Sequence, residues 1–411
     1  MKNYFFIIYT FALLCIGCTS VPTALPPVPD ERLVKWQQME TYALVHFAAK
    51  TSNSDCEQWV STFASAGMKG VILAMDASWE KDPRNIIRAL SDACRQYGLK
   101  LGLSIPASDR NQLQVKDLID SYGPFFELRL KDVVKLAPED YLSFHSDKNP
   151  DMIISSKEGA DCRWIGNYEG NCGETNWSFM SKATESPDYK ELKYGNAEGN
   201  QWIPAECVVS LRPGWFYRAD EDSLLLSKDD LIDIYYKSVG HNANLLLNFS
   251  VAPTGRICSA DSARVVEWHQ QIEKDLRSNL LSGLVPEVSS IKDKQYAPEH
   301  LTDGDYHSFW CSEDEVSSTS IIFKLKEPVM MNRLMMQEYI PLGQRIRKFA
   351  IEAHANGKWQ AIDTKEETTT IGYKRILRFD AINVDELRIL ILESRGPVCM
   401  NNIAAYYAVP Q

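Results

Sequence analysis

A parallel α/β barrel followed by an all-β sandwich is the fold class this sequence predicts. Between Tyr42 and Leu280 short apolar runs alternate with amphipathic helical stretches. Repeated βα units of this kind mean parallel strands. About eight such units over roughly 250 residues is the size of a (β/α)8 barrel, with a doubly wound sheet as the competing arrangement. From Lys292 onward short β-rich runs separated by turns take over, as in an all-β sandwich. The 411 residues leave room for two or three domains.

The first thirty residues are expected to stand apart from both domains. Lys2 precedes an apolar run, Phe5 to Ile16, that is too short to span a bilayer and ends in Leu14-Cys-Ile-Gly-Cys18. Residues 1–18 resemble a bacterial lipoprotein signal, in which Cys18 takes the lipid; an ordinary cleaved signal peptide is the alternative. The Pro-rich residues 19–30 read as a tether outside the fold. The expectation is an exported, membrane-anchored lipoprotein on the periplasmic or cell-surface side.

Within 31–285, strands are expected over Tyr42–Phe47, Gly70–Met75, Leu101–Ile105, Phe125–Leu130, Met152–Ile154, Cys207–Leu211 and Leu245–Phe249. Helices are expected over Cys56–Gly67, Asn85–Gly98, Val115–Tyr122, Pro138–Phe144, Lys228–Val239 and Ser262–Leu280. In the second of these Ile86, Ile87, Leu90, Cys94 and Tyr97 share one side. Several βα units are short, and only six or seven strands are visible, so the barrel reads as trimmed. The boundary falls at Ser282–Tyr296, and residues 292–411 form the sandwich. Its strands are expected over Ser318–Leu325, Arg333–Tyr339, Lys348–His354, Ile376–Phe379 and Glu386–Leu392.

Composition removes some classes of function. Charged residues make up 24%, the net charge is −11, and no basic stripe is present. Nucleic acid is therefore excluded as a partner. Eight cysteines follow the signal, without a CxxC pair or companion histidines. That spacing argues against zinc and leaves buried thiols and disulfides both open.

In a barrel, chemistry sits where strands end at their C-terminal edge. Candidates there are His46, Asp76, Asp109 with Arg110, Lys131 with Asp132, the Arg163–Glu169 stretch, and Trp215 with Tyr217. Retaining glycoside cleavage needs two carboxyls roughly 5–5.5 Å apart. Asp132 and Glu169 are the pair that best fits the fourth and fifth strand ends. Aromatic rings offer stacking faces for sugars, and Arg and His offer donors to hydroxyls.

The motifs carry a family resemblance. Ala66-Gly-Met-Lys-Gly-Val-Ile-Leu73, Ala93-Cys-Arg-Gln-Tyr-Gly-Leu-Lys100, Ser108-Asp-Arg-Asn111 and Tyr122-Gly-Pro-Phe-Phe-Glu127 are followed by Arg163-Trp-Ile-Gly-Asn167 and Gly173-Glu-Thr-Asn-Trp177. Pro204-Ala-Glu206, Leu211-Arg-Pro-Gly-Trp-Phe-Tyr217 and Leu245-Leu-Leu-Asn248 complete the set. Through these, residues 31–290 resemble the catalytic barrel of glycoside hydrolase family 29, the retaining α-L-fucosidases. Leu301-Thr-Asp-Gly-Asp305, Trp310, Gln337–Arg345, Ile371–Arg375 and Glu393-Ser-Arg395 make residues 292–408 similar to the discoidin-like sandwich found behind such barrels.

The resemblance implies a glycoside hydrolase acting on terminal α-L-fucosyl residues of glycans, with no metal or organic cofactor. It implies sugar contacts from His46, Arg163, Trp164, Glu206, Trp215 and Tyr217, with Trp310 and Arg345 either a sugar surface or domain stabilisers. The chain departs from the family at the chemistry. Counting from Phe126-Glu127, the nucleophile position is Lys131, and Asp132 comes one residue later. Gly166-Asn167 is followed by Tyr168, with the acid/base candidate Glu169 again one residue late. The His-His-Asp-Gly-Phe segment after the second strand is replaced by Ala74-Met-Asp-Ala-Ser-Trp79. Successive strand residues point to opposite faces, so a one-residue slip turns a carboxylate away unless a bulge absorbs it. A non-catalytic carbohydrate-binding protein is the alternative function.

Overall fold

The computed structural model describes residues 21–46, 55–75, 84–106, 109–131, 144, 149–156, 161–166, 169–181, 189–355 and 357–409, the side chains of 109–114 aside. The N-terminal unit opens with helix α1 (Glu31–Gln37), whose N-cap Asp30 accepts from Leu33 N–H. Strands β1 (Thr41–His46), β2 (Gly70–Ala74), β3 (Lys100–Pro106) and β4 (Phe125–Lys131) alternate with helices α2 (Cys56–Ser65), α3 (Arg84–Tyr97) and α4 (Asp109–Tyr122). The short strands β5 (Ile153–Ser155) and β6 (Arg163–Ile165) follow. The pair β7 (Phe179–Met180) and β8 (Gln201–Trp202), flanking α5 (Tyr189–Tyr194), forms a separate ribbon. Strand β9 (Ala205–Ser210), helix α6 (Lys228–Ser238), strand β10 (Ala243–Ser250) and helix α7 (Ser259–Asp275) complete the unit. A capping box of Ser227 and Asp230 starts α6.

Eight strands join in the order β5-β4-β3-β2-β1-β10-β9-β6, every pairing parallel. Strands β5 and β6 face each other across the remaining seam, so the barrel is nearly closed. Sequence pattern missed β6 because three residues give no periodicity. Expected positions match β1–β5, β9, β10, α2, α3 and α6 to within a few residues, while α4 starts six residues before and α7 ends five residues before the expected bounds. Helices α1 and α5 and strands β7 and β8 are further elements the pattern missed, and the helix expected at Pro138–Phe144 lies outside the described residues apart from Phe144.

Alternation sorts the strands into two layers. Ala43, Val45, Val71, Leu73, Leu103, Leu128, Val209 and Leu247 point outward into the core shared with the helices. Tyr42, Leu44, Ile72, Ala74, Val208 and Leu246 fill the interior. At Gly102 a Cβ would come within 2.9 Å of Glu127 O and 3.2 Å of the Phe126 ring. Only glycine lets β3 and the irregular start of β4 lie this close.

The C-terminal unit is antiparallel throughout. Its strands are β11 (Glu287–Val288), β12 (Trp310–Cys311), β13 (Thr319–Glu338), β14 (Ile346–Ala355), β15 (Lys358–Ala361), β16 (Arg375–Ser394) and β17 (Cys399–Tyr406). The order is β12-β17-β13-β16-β14-β15, with β11 on β13. Each 20-residue strand carries what the sequence shows as two separate runs. Register shifts at Lys324/Val329 and Met331/Arg333 break β13 in the middle.

The two units form one packed body. Met335, Ile376, Ala404 and Tyr406 of the sandwich join the outer core of the barrel. Tyr373 N–H donates to Asn242 Oδ1 at 2.8 Å, and Ser178 N–H to Gln344 Oε1 at 2.8 Å. Arg378 lies 4.7 Å from the centre of the Tyr236 ring and pairs with Asp233 at 2.8 Å.

The tether expectation needs correcting over its described part. Leu25 N–H donates to Leu342 O at 3.0 Å, and the carbonyls of Thr23 and Pro26 accept from Arg345 and Arg395 at 2.7 and 2.9 Å. Two arginines with spare donors and a proline-stiffened strand of carbonyls make this docking cheap in entropy. Cys18 and the rest of residues 1–20 lie outside the described residues.

Candidate active site

Most of the observed polar side chains of the mouth come from β1, β9 and β10. His46 ends β1, 8% exposed, and its Nδ1 lies 2.5 Å from Asn248 Oδ1 of β10. Asn248 Nδ2 donates to Ser210 Oγ at 2.9 Å and to Trp215 O at 3.2 Å. Ser210 Oγ in turn donates to Gly214 O at 2.8 Å. These bonds fix the tautomer: the Asn248 oxygen can only accept, so Nδ1 of a neutral His46 carries the proton and Nε2 is the acceptor. The chain of bonds also pins the Arg212–Tyr217 loop over the strand ends. Trp215 and Phe216 pack on the His46 imidazole, with ring centres 5.7 and 5.3 Å away. Ser250, paired in register with His46, keeps a buried hydroxyl with no hydrogen-bond partner among the described residues.

Sequence reasoning placed His46 and Trp215 here and missed Asn248 and Phe216. Asn244 and Asn248, four apart in an otherwise apolar strand, were the legible signal, because equal parity puts both on the inner face. Tyr217 does not join this group. It turns its ring toward the Arg212 guanidinium, 5.3 Å away, and donates to Asp222 at 3.4 Å. Arg212 is itself clamped by Asp261 at 2.9 and 2.7 Å, so Tyr217 belongs to the loop's anchor.

Arg163 and Glu206 also need correcting. Arg163 starts β6, at the end of the barrel remote from the mouth, and is 3% exposed. It donates to Leu192 O at 2.9 Å, to Ile203 O at 2.5 Å and to Asn176 Oδ1. Every nitrogen of the guanidinium is spent on holding the loop between β6 and β9. Burial draws this group down to about 10 from the usual arginine range.

Glu206 is fully buried within a charged cluster inside the barrel. It accepts from Tyr42 Oη at 2.6 Å and from Arg129. Arg129 also donates to Glu127 Oε1 at 3.0 Å, and Trp36 of α1 donates to Glu127 Oε2 at 3.0 Å. Two carboxyls thus share one guanidinium. Burial, and then the charge of Glu206, push the Glu127 carboxyl up to about 8. Glu127, Cys162 and Glu206 offer ligand atoms within 4.8 Å of one another. The cation among them is Arg129, and burial holds the Cys162 thiol well above its ordinary range, away from the thiolate a metal would need. The cluster ties α1 to the barrel walls.

Trp164 stands on the inner face, opposite in parity to the outward Ile165, and is 51% exposed. Its ring covers Gly166, where a Cβ would lie 2.5 Å away. Glu169 is exposed and accepts from Asn171 at 3.2 Å. The next residue, Gly170, packs toward Val209 and Ile234 on the helix side of the sheet. Lys131 closes β4 on the inner face, in step with Glu127 and Arg129. Asp132 lies outside the described residues, as do Asp76 and the side chains of Asp109 and Arg110. In the sandwich, Trp310 and Arg345 are both fully buried. Trp310 donates to Ser290 O at 3.2 Å and Arg345 to Pro397, Thr23 and Leu342 carbonyls, so both stabilise the domain.

Comparison with known proteins agrees with this architecture. The family model described as Alpha-L-fucosidase matches residues 31–273, and that of the F5/8 type C domain matches residues 287–405. Alpha-L-fucosidase 1 of Arabidopsis thaliana is 27% identical over 437 residues, covering 90% of this chain and 85% of its own. A glycoside hydrolase 29 family member from an unknown rumen bacterium superposes with a TM-score of 0.79 at 29% identity, covering 95% of this chain and 79% of that one. The Ruminococcus gnavus GH29 fucosidase E1_10125, solved in complex with fucose, shares the fold with a TM-score of 0.82 at 22% identity, over 95% and 97% of the two chains.

Proposed function

The chain belongs to the α-L-fucosidase family of glycoside hydrolases, and from that premise we propose that its barrel mouth takes a terminal α-L-fucosyl or closely related glycan residue and hydrolyses the bond with retention. The observation that carries this reading is the His46–Asn248 pair set under Trp215 and Phe216 at the C-terminal ends of β1 and β10. A neutral imidazole with a fixed tautomer can meet a sugar hydroxyl at Nε2, and Trp215 offers an apolar sugar face a ring to lie on. In this reading Asp132 attacks the anomeric carbon. Glu169 protonates the leaving oxygen and then activates the water that releases the sugar. Were Asp132 to swing in beside the Lys131 ammonium, that charge would favour the ionised carboxylate that attack requires.

A second reading, glycan binding without cleavage, has its own support. The inner-face position at the end of β4 holds Lys131, which cannot act as the nucleophile, and the residue after Glu169 packs toward the outer side of the sheet. Turnover of an activated aryl α-L-fucoside, together with calorimetric binding of L-fucose, separates the two. Turnover that disappears in Asp132→Ala while fucose binding persists supports hydrolysis. Binding without turnover supports the second reading, and neither overturns both. We also propose export with lipidation at Cys18, tested by fatty-acid labelling that Cys18→Ser abolishes; labelling that survives the substitution refutes it.

A further inference from the structure

Strands β12 and β17 bring two cysteines together across a sheet edge. Cys311 stands opposite Cys399, and Trp310 opposite Met400. The flanking bond runs from Ser312 N–H to Val398 O at 3.0 Å. That makes 312/398 the hydrogen-bonded position and 311/399 the non-bonded one. At non-bonded positions Cα atoms approach to about 4.5 Å and side chains lie closest. This spacing falls inside the range a disulfide spans, about 4.4–6.8 Å. The two sulfurs are 3.0 Å apart, and the residues are 0% and 1% exposed.

We propose that Cys311 and Cys399 form a disulfide that locks the two-residue edge strand β12 to β17. In the edge pair the Cys399 thiol, and then the charges of Arg345 and Lys292, hold Cys311 below the usual thiol range against the opposing effect of burial. Cys311 is therefore the sulfur that ionises first. Before the edge strand closes over the pair in folding, its thiolate attacks one sulfur of a disulfide partner, the oxidised form of a thiol–disulfide oxidoreductase or glutathione disulfide. One partner thiolate leaves. Cys399 then gives up its proton and attacks the Cys311 side of the mixed disulfide, releasing the second thiolate. Two protons and two electrons pass to the partner, which ends as two thiols.

The bond closes a separation of 88 residues and fixes the Lys292–Cys311 segment, which carries the Tyr296 and Phe309 rings, onto the sheet. Closing so long a loop restricts the unfolded chain strongly.

The test is peptide mapping of the full chain after refolding in the presence of oxidised glutathione, with free thiols alkylated in denaturant. The expected result is a linked pair of peptides containing Cys311 and Cys399 that reduction separates, with a melting temperature several degrees above that of the reduced protein. Recovery of both cysteines as alkylated peptides, or linked elsewhere, overturns the proposal. In the double variant Cys311→Ala/Cys399→Ala the oxidised and reduced samples should melt together; a surviving difference also overturns it. Should that variant fail to fold, the mapping of the natural chain decides alone.

Discussion

Replacing Glu127 by glutamine should flatten one arm of the stability–pH profile. In the folded protein Glu127 sits with Glu206 around a single guanidinium, so folding holds its proton on up to about 8, against 4.5 for the free side chain. Between those values the folded state binds a proton that the unfolded state has lost. Stability contributed by this group is therefore fully present below pH 4.5 and falls as pH rises through 8. From pH 6 to pH 9 the unfolded side chain gives about 4 kcal/mol of ionisation free energy and the folded one about 1, at roughly 1.4 kcal/mol per unit. The difference, about 3 kcal/mol, should be lost over that interval in the natural protein. Glu127→Gln keeps the shape but offers one acceptor where the carboxyl has two, for Trp36 and Arg129. That costs about 1 kcal/mol at every pH. Urea denaturation followed by fluorescence, repeated from pH 4 to 9, measures both curves. The two should cross at about pH 5, where the natural protein has lost about 1 kcal/mol, with the variant the more stable from there up to pH 9. Parallel curves would refute the shared-guanidinium account.

Three further outcomes follow from the same geometry. Arg163→Lys should cost about 3 kcal/mol of stability, because a point charge cannot reach Leu192 O, Ile203 O and Asn176 together; thermal melting measures this, and any fucoside KM should stay unchanged. His241, 1% exposed, is held well below its ordinary range, first by burial and then by Arg375. The ring nitrogens lack hydrogen-bond partners among the described residues, although Glu174 stands 3.7 Å from Nε2. Stability from this group is present above pH 6.5 and declines by about 1 kcal/mol over the next unit down, a decline that His241→Leu should remove in acid-side denaturation curves. Trp215→Ala should weaken fucose binding about 10-fold, or ~1.4 kcal/mol, in calorimetry, while leaving the melting transition cooperative.

Barrel lineage, parallel topology and the β-rich second half were legible because they rest on local periodicity and on motif text. Alternation in Ala243–Ser250 and Thr41–His46 encodes which side chains face inward, and that suffices to place His46. Where the chain leaves regular structure, the pattern stops informing. Arg163, inside the motif that looked most like a sugar site, is consumed by carbonyls from a loop forty residues away. Glu206 looked like a sugar ligand for the same reason, yet its partners Tyr42 and Arg129 come from other strands of the barrel.

By itself the sequence determined the family, the two domains and the displaced carboxylate candidates, since helix and strand periods and short motifs are properties of neighbouring residues. Only the tertiary structure decided which polar groups the fold itself consumes. It gave the docking of Thr23–Pro26 on the sandwich, the turn of Tyr217 onto Arg212, and the meeting of Cys311 with Cys399. Each joins elements whose approach depends on how strands close and sheets pack, and a buried donor or acceptor takes the partner that packing brings to it.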